Sequence, residues 1–93
     1  MNRSDIESAS RRIGDGNRAF LRETPLWRLP GSALEIGCAE VWLKLEHLQV
    51  GGSFKARGML NRLLANPMPD AGVIVASGGN AGIATAAAAR ALG

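Results

Sequence analysis

The chain has 93 residues, of which 46% are hydrophobic and 20% are charged, and it carries a net charge of +3. This is the size and composition of one small globular domain. Aromatic residues make up only 4% and the arginines lie mostly apart, which excludes the basic, aromatic-rich face of a nucleic-acid-binding protein. One cysteine (Cys38) and one histidine (His47) do not form a metal-ligand set. The single cysteine and an N-terminus without a signal-peptide pattern predict a cytoplasmic protein.

The first forty residues predict short elements that carry no recognisable chemistry. Ser4 and Glu7 have the spacing of a capping box, which indicates a helix start. Turn residues and a proline then divide the segment. In chain order the predicted elements are a helix over 5–13, a turn over 14–17, a helical turn over 18–22, an edge strand over 26–29 and a brief helix over 32–36.

The second half predicts two strands that alternate with two helices. The strands are 41–46 and the β-branched, uncharged run 73–76, and the helices run from Ser53 to about residue 65 and over 83–92. This order is typical of a parallel α/β unit with right-handed crossovers. The apolar residues of the first helix share one face, and they are Ala56, Met59, Leu60, Leu63 and Leu64.

An uncharged run over 71–89 is interrupted at 77–80 by the sequence SGGN. That interruption breaks any continuous apolar stretch of membrane-spanning length. We therefore expect no membrane span.

The sequence GGSFKARG at 51–58 places a lysine at the start of a helix. Ser53 suits the N-cap because its hydroxyl can accept a hydrogen bond from a first-turn amide. Lys55 then lies at the positive end of the helix dipole, which favours its neutral form. A neutral amine can form a Schiff base with an aldehyde. A lysine in a first helical turn can equally be a solvated side chain, so both interpretations stay open at this point.

A second glycine-rich loop, SGGNAG at 77–82, joins the predicted strand 73–76 to a helix start. Such a loop is suited to binding an anion through its amides. It misses the dinucleotide fingerprint because Ser77 stands where the first glycine is expected, and it is not a Walker loop because no lysine follows. A plain tight turn is the remaining alternative. Asn80 could both donate to and accept from a planar ligand.

Four motifs together resemble the fold-type II (tryptophan-synthase-β-like) pyridoxal-phosphate enzymes, most closely the threonine/serine dehydratase branch. They are TPL at 24–26, VWLKLE at 41–46, GSFK-A-RG at 52–58 and SGGNAG at 77–82, and the resemblance covers about residues 20–93. It implies an α/β fold with parallel sheets flanked by helices.

By this resemblance about residues 1–70 contribute to the larger domain and about 71–93 begin the smaller one. Because the family's chains are several times longer, the chain is expected to be an N-terminal fragment. Alone, it should bind the cofactor weakly and turn over little substrate.

The resemblance also implies roles for individual residues. Lys55 would form a Schiff base with pyridoxal 5'-phosphate and remove the substrate α-proton. Phe54 would pack near the cofactor, and Asn80 would hydrogen-bond the phenolic oxygen of its ring. The donors for the substrate carboxylate would be Ser77, Gly78 and Ala81. The implied reaction is β-elimination of water from threonine or serine, which gives a 2-oxo acid and ammonia.

Three positions depart from the family pattern. Gly51 stands where many dehydratases carry threonine. Gly78 stands where serine racemases carry a second serine, which disfavours racemisation. Ala81 stands where dehydratases often carry histidine, so the preferred amino acid is open. A cysteine-synthase-like enzyme is the alternative within the family, and a non-catalytic nucleotide- or anion-binding module is the alternative from another class. The resemblance further implies a small amino-acid substrate and a homo-oligomer in the intact protein.

Overall fold

The computed structural model describes residues 1–14 and 20–93. Short 3-10 turns connect the regular elements at Gly31–Leu34, Glu46–Leu48 and Val50–Gly52. The helices and strands are α1 (Arg3–Gly14), β1 (Leu26–Pro30), β2 (Glu40–Lys44), α2 (Lys55–Ala65) and α3 (Asn80–Leu92). The turn predicted over 14–17 lies outside the described residues except for Gly14. Of the helical turn predicted over 18–22, residues 20–22 are described, and they form no helix. Within the described ranges, every helix is too short or too polar to cross a bilayer.

Helix α1 begins two residues before the predicted start, and a different pair of residues caps it. Asn2 accepts from the Asp5 amide at 3.0 Å, and Asp5 accepts from the Asn2 amide at 2.8 Å. This reciprocal pair is the capping box that we had assigned to Ser4 and Glu7. Glu7 instead pairs with Arg3 one turn earlier, at 2.8 Å.

The sheet of the described residues has two antiparallel strands, and the parallel partner predicted for strand 41–46 is not part of it. β1 pairs with β2 in the register that places Leu26 opposite Lys44 and Pro30 opposite Glu40. Only residues 31–39 connect the two strands, and a parallel pair needs a longer crossover connection. β2 also ends two residues earlier than predicted, because the chain turns into the 3-10 turn at Glu46–Leu48.

The segment 73–76, which we predicted to be a buried strand, forms no strand and is exposed. Ile74 is 99% exposed, and Val73 and Val75 are also open to solvent. β-branched residues favour a strand only when a neighbouring strand or packed face is present. Neither β1 nor β2 pairs with this segment, so its sequence preference is not realised.

The core lies between α2 and α3, which pack side by side. Its buried apolar residues are Ala56, Leu60, Ala84 and Ala88. Ala56 and Leu60 belong to the predicted apolar face of α2, while its other predicted members are half-buried. α3 begins at Asn80, three residues before the predicted start. The glycine-rich loop therefore ends inside the first turn of this helix.

The two helices run in the same direction, as their ends show. The 3-10 turn Val50–Gly52, which precedes α2, contacts α3, and a β-carbon on Gly51 would lie 3.3 Å from Ile83 Cγ2 in its first turn. At the other end, Met68 and Pro69, which follow α2, line a groove with Ala89 and Gly93 of the α3 C-terminus. Both helices therefore start at the same end of the molecule.

Gly31 is where the connection between the strands folds back on itself. A β-carbon there would collide with the Cys38 carbonyl oxygen, and the Gly31 amide donates to the Ala39 carbonyl at 3.1 Å. The backbone therefore approaches itself too closely for any side chain.

We predict that Gly31→Ala lowers the free energy of unfolding by about 1–3 kcal/mol, because the β-carbon must displace backbone. Urea unfolding followed by circular dichroism measures this change. Gly37→Ala is the matched control, since a β-carbon there has open space within 4 Å. Equal effects of the two substitutions would contradict the prediction.

Candidate functional site

The loop before α2 holds Lys55 at the start of the helix. Gly51 and Gly52 have φ values of 78° and 77°, a conformation that glycine adopts without steric cost. Ser53 is extended, and its hydroxyl accepts from the Lys55 amide at 3.3 Å. The predicted capping role of Ser53 is therefore confirmed, although helical dihedrals begin at Phe54.

The Lys55 amine lies close to an aromatic ring. Its Nζ is 5.2 Å from the centroid of the Phe54 ring, which is within the range of a cation–π contact. Lys55 is half-buried, whereas Phe54 is 62% exposed. The Phe54 ring beside the Lys55 amine is therefore accessible from solvent.

The second loop turns tightly into α3. The Ser77 hydroxyl accepts from the Gly79 amide at 3.2 Å, and a β-carbon on Gly82 would lie 3.3 Å from the Ser77 carbonyl oxygen. Gly78, by contrast, borders open space. Asn80 is the first residue of α3 and is exposed. The loop is thus compact on its inner side and uncovered on its outer side.

The two loops lie at the same end of the molecule because α2 and α3 start there. Gly51 of the first loop is adjacent to Ile83 of α3, so the helix starts that carry Lys55 and Asn80 are neighbours. Ser77, Gly78 and Ala81 belong to the same second loop and first turn of α3. Within the described ranges, Lys55 and Asn80 share no hydrogen bond.

A partly buried ionic cluster behind the first loop was not expected from the sequence. Glu46, whose side chain is 13% exposed, accepts from Arg57 Nη2 at 2.9 Å and from Arg57 Nε at 3.0 Å. Thr24 Oγ1 donates to the same carboxylate at 2.5 Å, and Lys44 Nζ is 3.7 Å away. The cluster joins the end of β2, the segment before β1 and the first turn of α2.

This cluster keeps Glu46 ionised. Burial alone raises the pKa of a carboxyl group, but hydrogen bonds from Arg57, Thr24 and Gln49 together with the Arg57 charge outweigh it. The net result lowers the pKa of Glu46 from 4.5 to about 2. The carboxylate is therefore charged at any pH near neutrality.

Gln49 is a second residue whose importance the sequence did not reveal. It is 2% exposed, and its Oε1 accepts from the amides of Arg22 and Val50 at 2.8 and 3.0 Å. Its Nε2 donates to the Arg22 carbonyl at 2.9 Å. Gln49 lies between two 3-10 turns and therefore gave no periodic signal. The charged residues of the cluster were visible in the sequence as KLE at 44–46 and KAR at 55–57.

The family of this chain follows from comparison with known proteins. The family described as pyridoxal-phosphate dependent enzyme matches residues 18–93, which include both loops. The chain belongs to this family, whose cofactor is pyridoxal 5'-phosphate.

Its relatives include enzymes named L-threonine dehydratase catabolic TdcB, from Staphylococcus aureus strains USA300 and N315. Each is 38% identical over 91 residues, which cover 96% of this chain and 25% of the relative. The chain thus spans about a quarter of the length of these relatives. No solved structure matches the chain.

The chemistry of the two loops fits such a cofactor. Lys55 offers a primary amine beside an aromatic ring, and the exposed Asn80 offers an amide group that can donate and accept. The open space beside Gly78 and the first-turn amides of α3 suit an anionic group.

We predict that the ionic cluster makes stability depend on pH in the acid range. Glu46 binds a proton near pH 4.5 when unfolded and near pH 2 when folded, so its stabilisation is complete above about pH 5 and is lost as the pH falls towards 2. The contribution is on the order of 2–3 kcal/mol. Unfolding free energies of the wild type and Glu46→Gln should therefore differ at pH 6 and converge towards pH 2.

The control for this measurement is Glu7→Gln, which removes an exposed ion pair with Arg3. An exposed pair contributes little, so this variant should follow the wild type at each pH. A difference between wild type and Glu46→Gln that stays constant from pH 6 to pH 2 would disprove the assignment.

Proposed function

We propose that the chain is part of a pyridoxal-phosphate-dependent lyase that eliminates water from threonine or serine. One observation carries this proposal: the helices that begin with Lys55 and Asn80 start at the same end of the molecule. The chain that holds them belongs to the pyridoxal-phosphate-dependent family. The relatives named as threonine dehydratases support the choice of reaction. The products would be a 2-oxo acid and ammonia.

Lys55 is the proposed catalytic residue. Its amine would hold the cofactor aldehyde until the substrate amine replaces it. The freed Nζ would then take the α-proton of the substrate, and the β-hydroxyl would leave as water. The water lost is regained when the carbon–nitrogen bond is hydrolysed, so the reaction has no net water change. Bound pyridoxal phosphate supplies an electron sink for the substrate α-carbon. Phe54 would pack beside the cofactor.

The second loop would orient the ligands. Asn80 would donate to the phenolic oxygen of the cofactor ring, and the donors of Ser77, Gly78 and Ala81 would bind the substrate carboxylate. Support comes from the position of this loop at the N-terminus of α3, where unpaired amides and the helix dipole favour anions. The lack of a side chain at Gly78 leaves space for such a group.

Two alternatives are distinguished by different residues. A cysteine-synthase-like enzyme would use the same lysine and asparagine, so product analysis separates it from a dehydratase. A non-catalytic nucleotide- or anion-binding module would need only the loop 77–82. It would bind its ligand without Lys55.

We also propose a wider arrangement for the intact protein. About residues 1–70 would belong to a larger domain and about 71–93 would begin a smaller one, each with a parallel sheet flanked by helices. The exposed segment 73–76 would find its neighbouring strand there, and the protein would be a cytoplasmic homo-oligomer. Since the chain spans a quarter of its relatives' length, we expect it alone to bind the cofactor weakly and to form little 2-oxo acid.

We predict that Lys55→Ala abolishes the pyridoxal 5'-phosphate adduct that borohydride traps on the wild-type chain. The reason is that the amine at this position is removed while the helix start is kept. Mass spectrometry of the intact protein and its peptides measures the adduct and its position.

Lys44→Arg is the matched control, because Lys44 is the other lysine of the chain and arginine keeps its charge. This variant should retain the adduct. Trapping on Lys44 in preference to Lys55, or equal binding of the cofactor by Lys55→Ala, would favour the non-catalytic module.

We further predict that Asn80→Ala weakens binding of pyridoxal 5'-phosphate about three- to tenfold, which corresponds to the loss of about one hydrogen bond. A titration followed by absorbance measures the affinity. Asn66→Ala is the control, because Asn66 lies at the opposite end of α2, where it donates to the Arg62 carbonyl at 2.7 Å. Equal losses of affinity in Asn80→Ala and Asn66→Ala would contradict the assignment of Asn80 to the cofactor site.

A further inference from the structure

The ion pair between Glu46 and Arg57 spans the loop that carries Lys55. Glu46 lies two residues after the end of β2. Arg57 lies two residues after Lys55, in the first turn of α2. Both oxygens of the carboxylate accept from the guanidinium, at 2.9 and 3.0 Å. Such a two-pronged contact fixes direction as well as distance.

The loop between these two residues is held at its start and is exposed in its middle. Gln49 is buried and hydrogen-bonded to the backbone of Arg22, whereas Gly51 and Gly52 have left-handed dihedrals and are exposed, as is Phe54. Glycines have more conformational freedom than other residues. A contact that crosses the loop therefore helps to determine where the first turn of α2 lies.

The buried residues of α2 do not do this alone. Ala56 and Leu60 fix the face of the helix that packs on α3, but apolar contacts of this kind are not directional. The Arg57 side chain is 31% exposed, and its guanidinium donates to a carboxylate that Thr24 and Gln49 also hold. The pair therefore connects the first turn of α2 to a partly buried, hydrogen-bonded carboxylate.

We propose that the Glu46–Arg57 ion pair positions the Lys55 amine relative to the start of α3. Neither residue needs to touch substrate or cofactor for this role, so both are positioning residues. The inference rests on the proposed function of Lys55.

The test compares how readily the two lysines of the chain are modified. Wild type and Arg57→Gln are treated with pyridoxal 5'-phosphate and borohydride at a temperature where both are folded by circular dichroism. Peptide mass spectrometry then gives the ratio of adduct on Lys55 to adduct on Lys44. We expect Arg57→Gln to lower this ratio at least fivefold. Loss of Arg57 also leaves Glu46 free to hold Lys44 more tightly. This would lower the adduct on Lys44 and raise the ratio, so it cannot account for the expected fall.

Two control variants separate positioning from stability. Leu60→Ala empties a fully buried site on the same helix and should leave the ratio within twofold of wild type while the variant is folded. Arg28→Gln breaks an exposed arginine–glutamate pair on the sheet and should leave it unchanged. An equal fall of the ratio in Leu60→Ala and Arg57→Gln would overturn the proposal, because the ratio would then report stability.

Glu46→Gln provides the second variant, since glutamine keeps the volume of the side chain and removes its charge. Because this change also frees Lys44, whose Nζ lies 3.7 Å from Glu46 in the wild type, the measurement for this variant is the yield of adduct on Lys55 itself, which should fall. An unchanged ratio in folded Arg57→Gln, an unchanged Lys55 yield in folded Glu46→Gln, or failure of both to fold would reject a positioning role. A wild-type chain that shows no preference for Lys55 would instead reject the proposed function, so the two failures are distinguishable.

Discussion

One partly buried carboxylate connects three segments of the structure. Glu46 joins the end of β2 to α2 through Arg57 and to the segment before β1 through Thr24. Removing one partner of such a pair leaves a charge without compensation in a poorly solvated place. With a core of only a few apolar residues between α2 and α3, these polar contacts hold α2 to the sheet.

The parts of the fold that the sequence predicted are those with a local cause. α2 was found because Ser53 caps it and its apolar residues recur at helical spacing, and α3 because alanines follow a glycine-rich turn. Both loops were recognised for the same reason: glycine, serine and a polar residue at fixed spacing determine a helix start. The candidate site residues were named from these two loops. The structure adds that both loops lie at the same end of the molecule.

The parts that the sequence did not predict have causes distant in the chain. Segment 73–76 has the composition of a buried strand, but a strand needs a neighbour, and neither β1 nor β2 is one. Glu46 and Gln49 gave no signal because their partners are distant in the chain: Arg57 and Thr24 lie 11 and 22 residues from Glu46, and Arg22 lies 27 residues from Gln49. The cap of α1 was misplaced by two residues because Asn2 and Asp5 compete with Ser4 and Glu7 for the same motif.

The small side chains between α2 and α3 have a consequence for the spacing of the two helix starts. Ala56, Ala84 and Ala88 lie between the helices, and the separation of packed helices is determined by the residues at their contact. Ala56 lies in the first turn of α2, and Ala84 and Ala88 lie about one and two turns into α3. Evolution could widen or narrow the spacing between the helix starts by exchanging Ala84 or Ala88 for glycine or valine without changing Lys55 or Asn80.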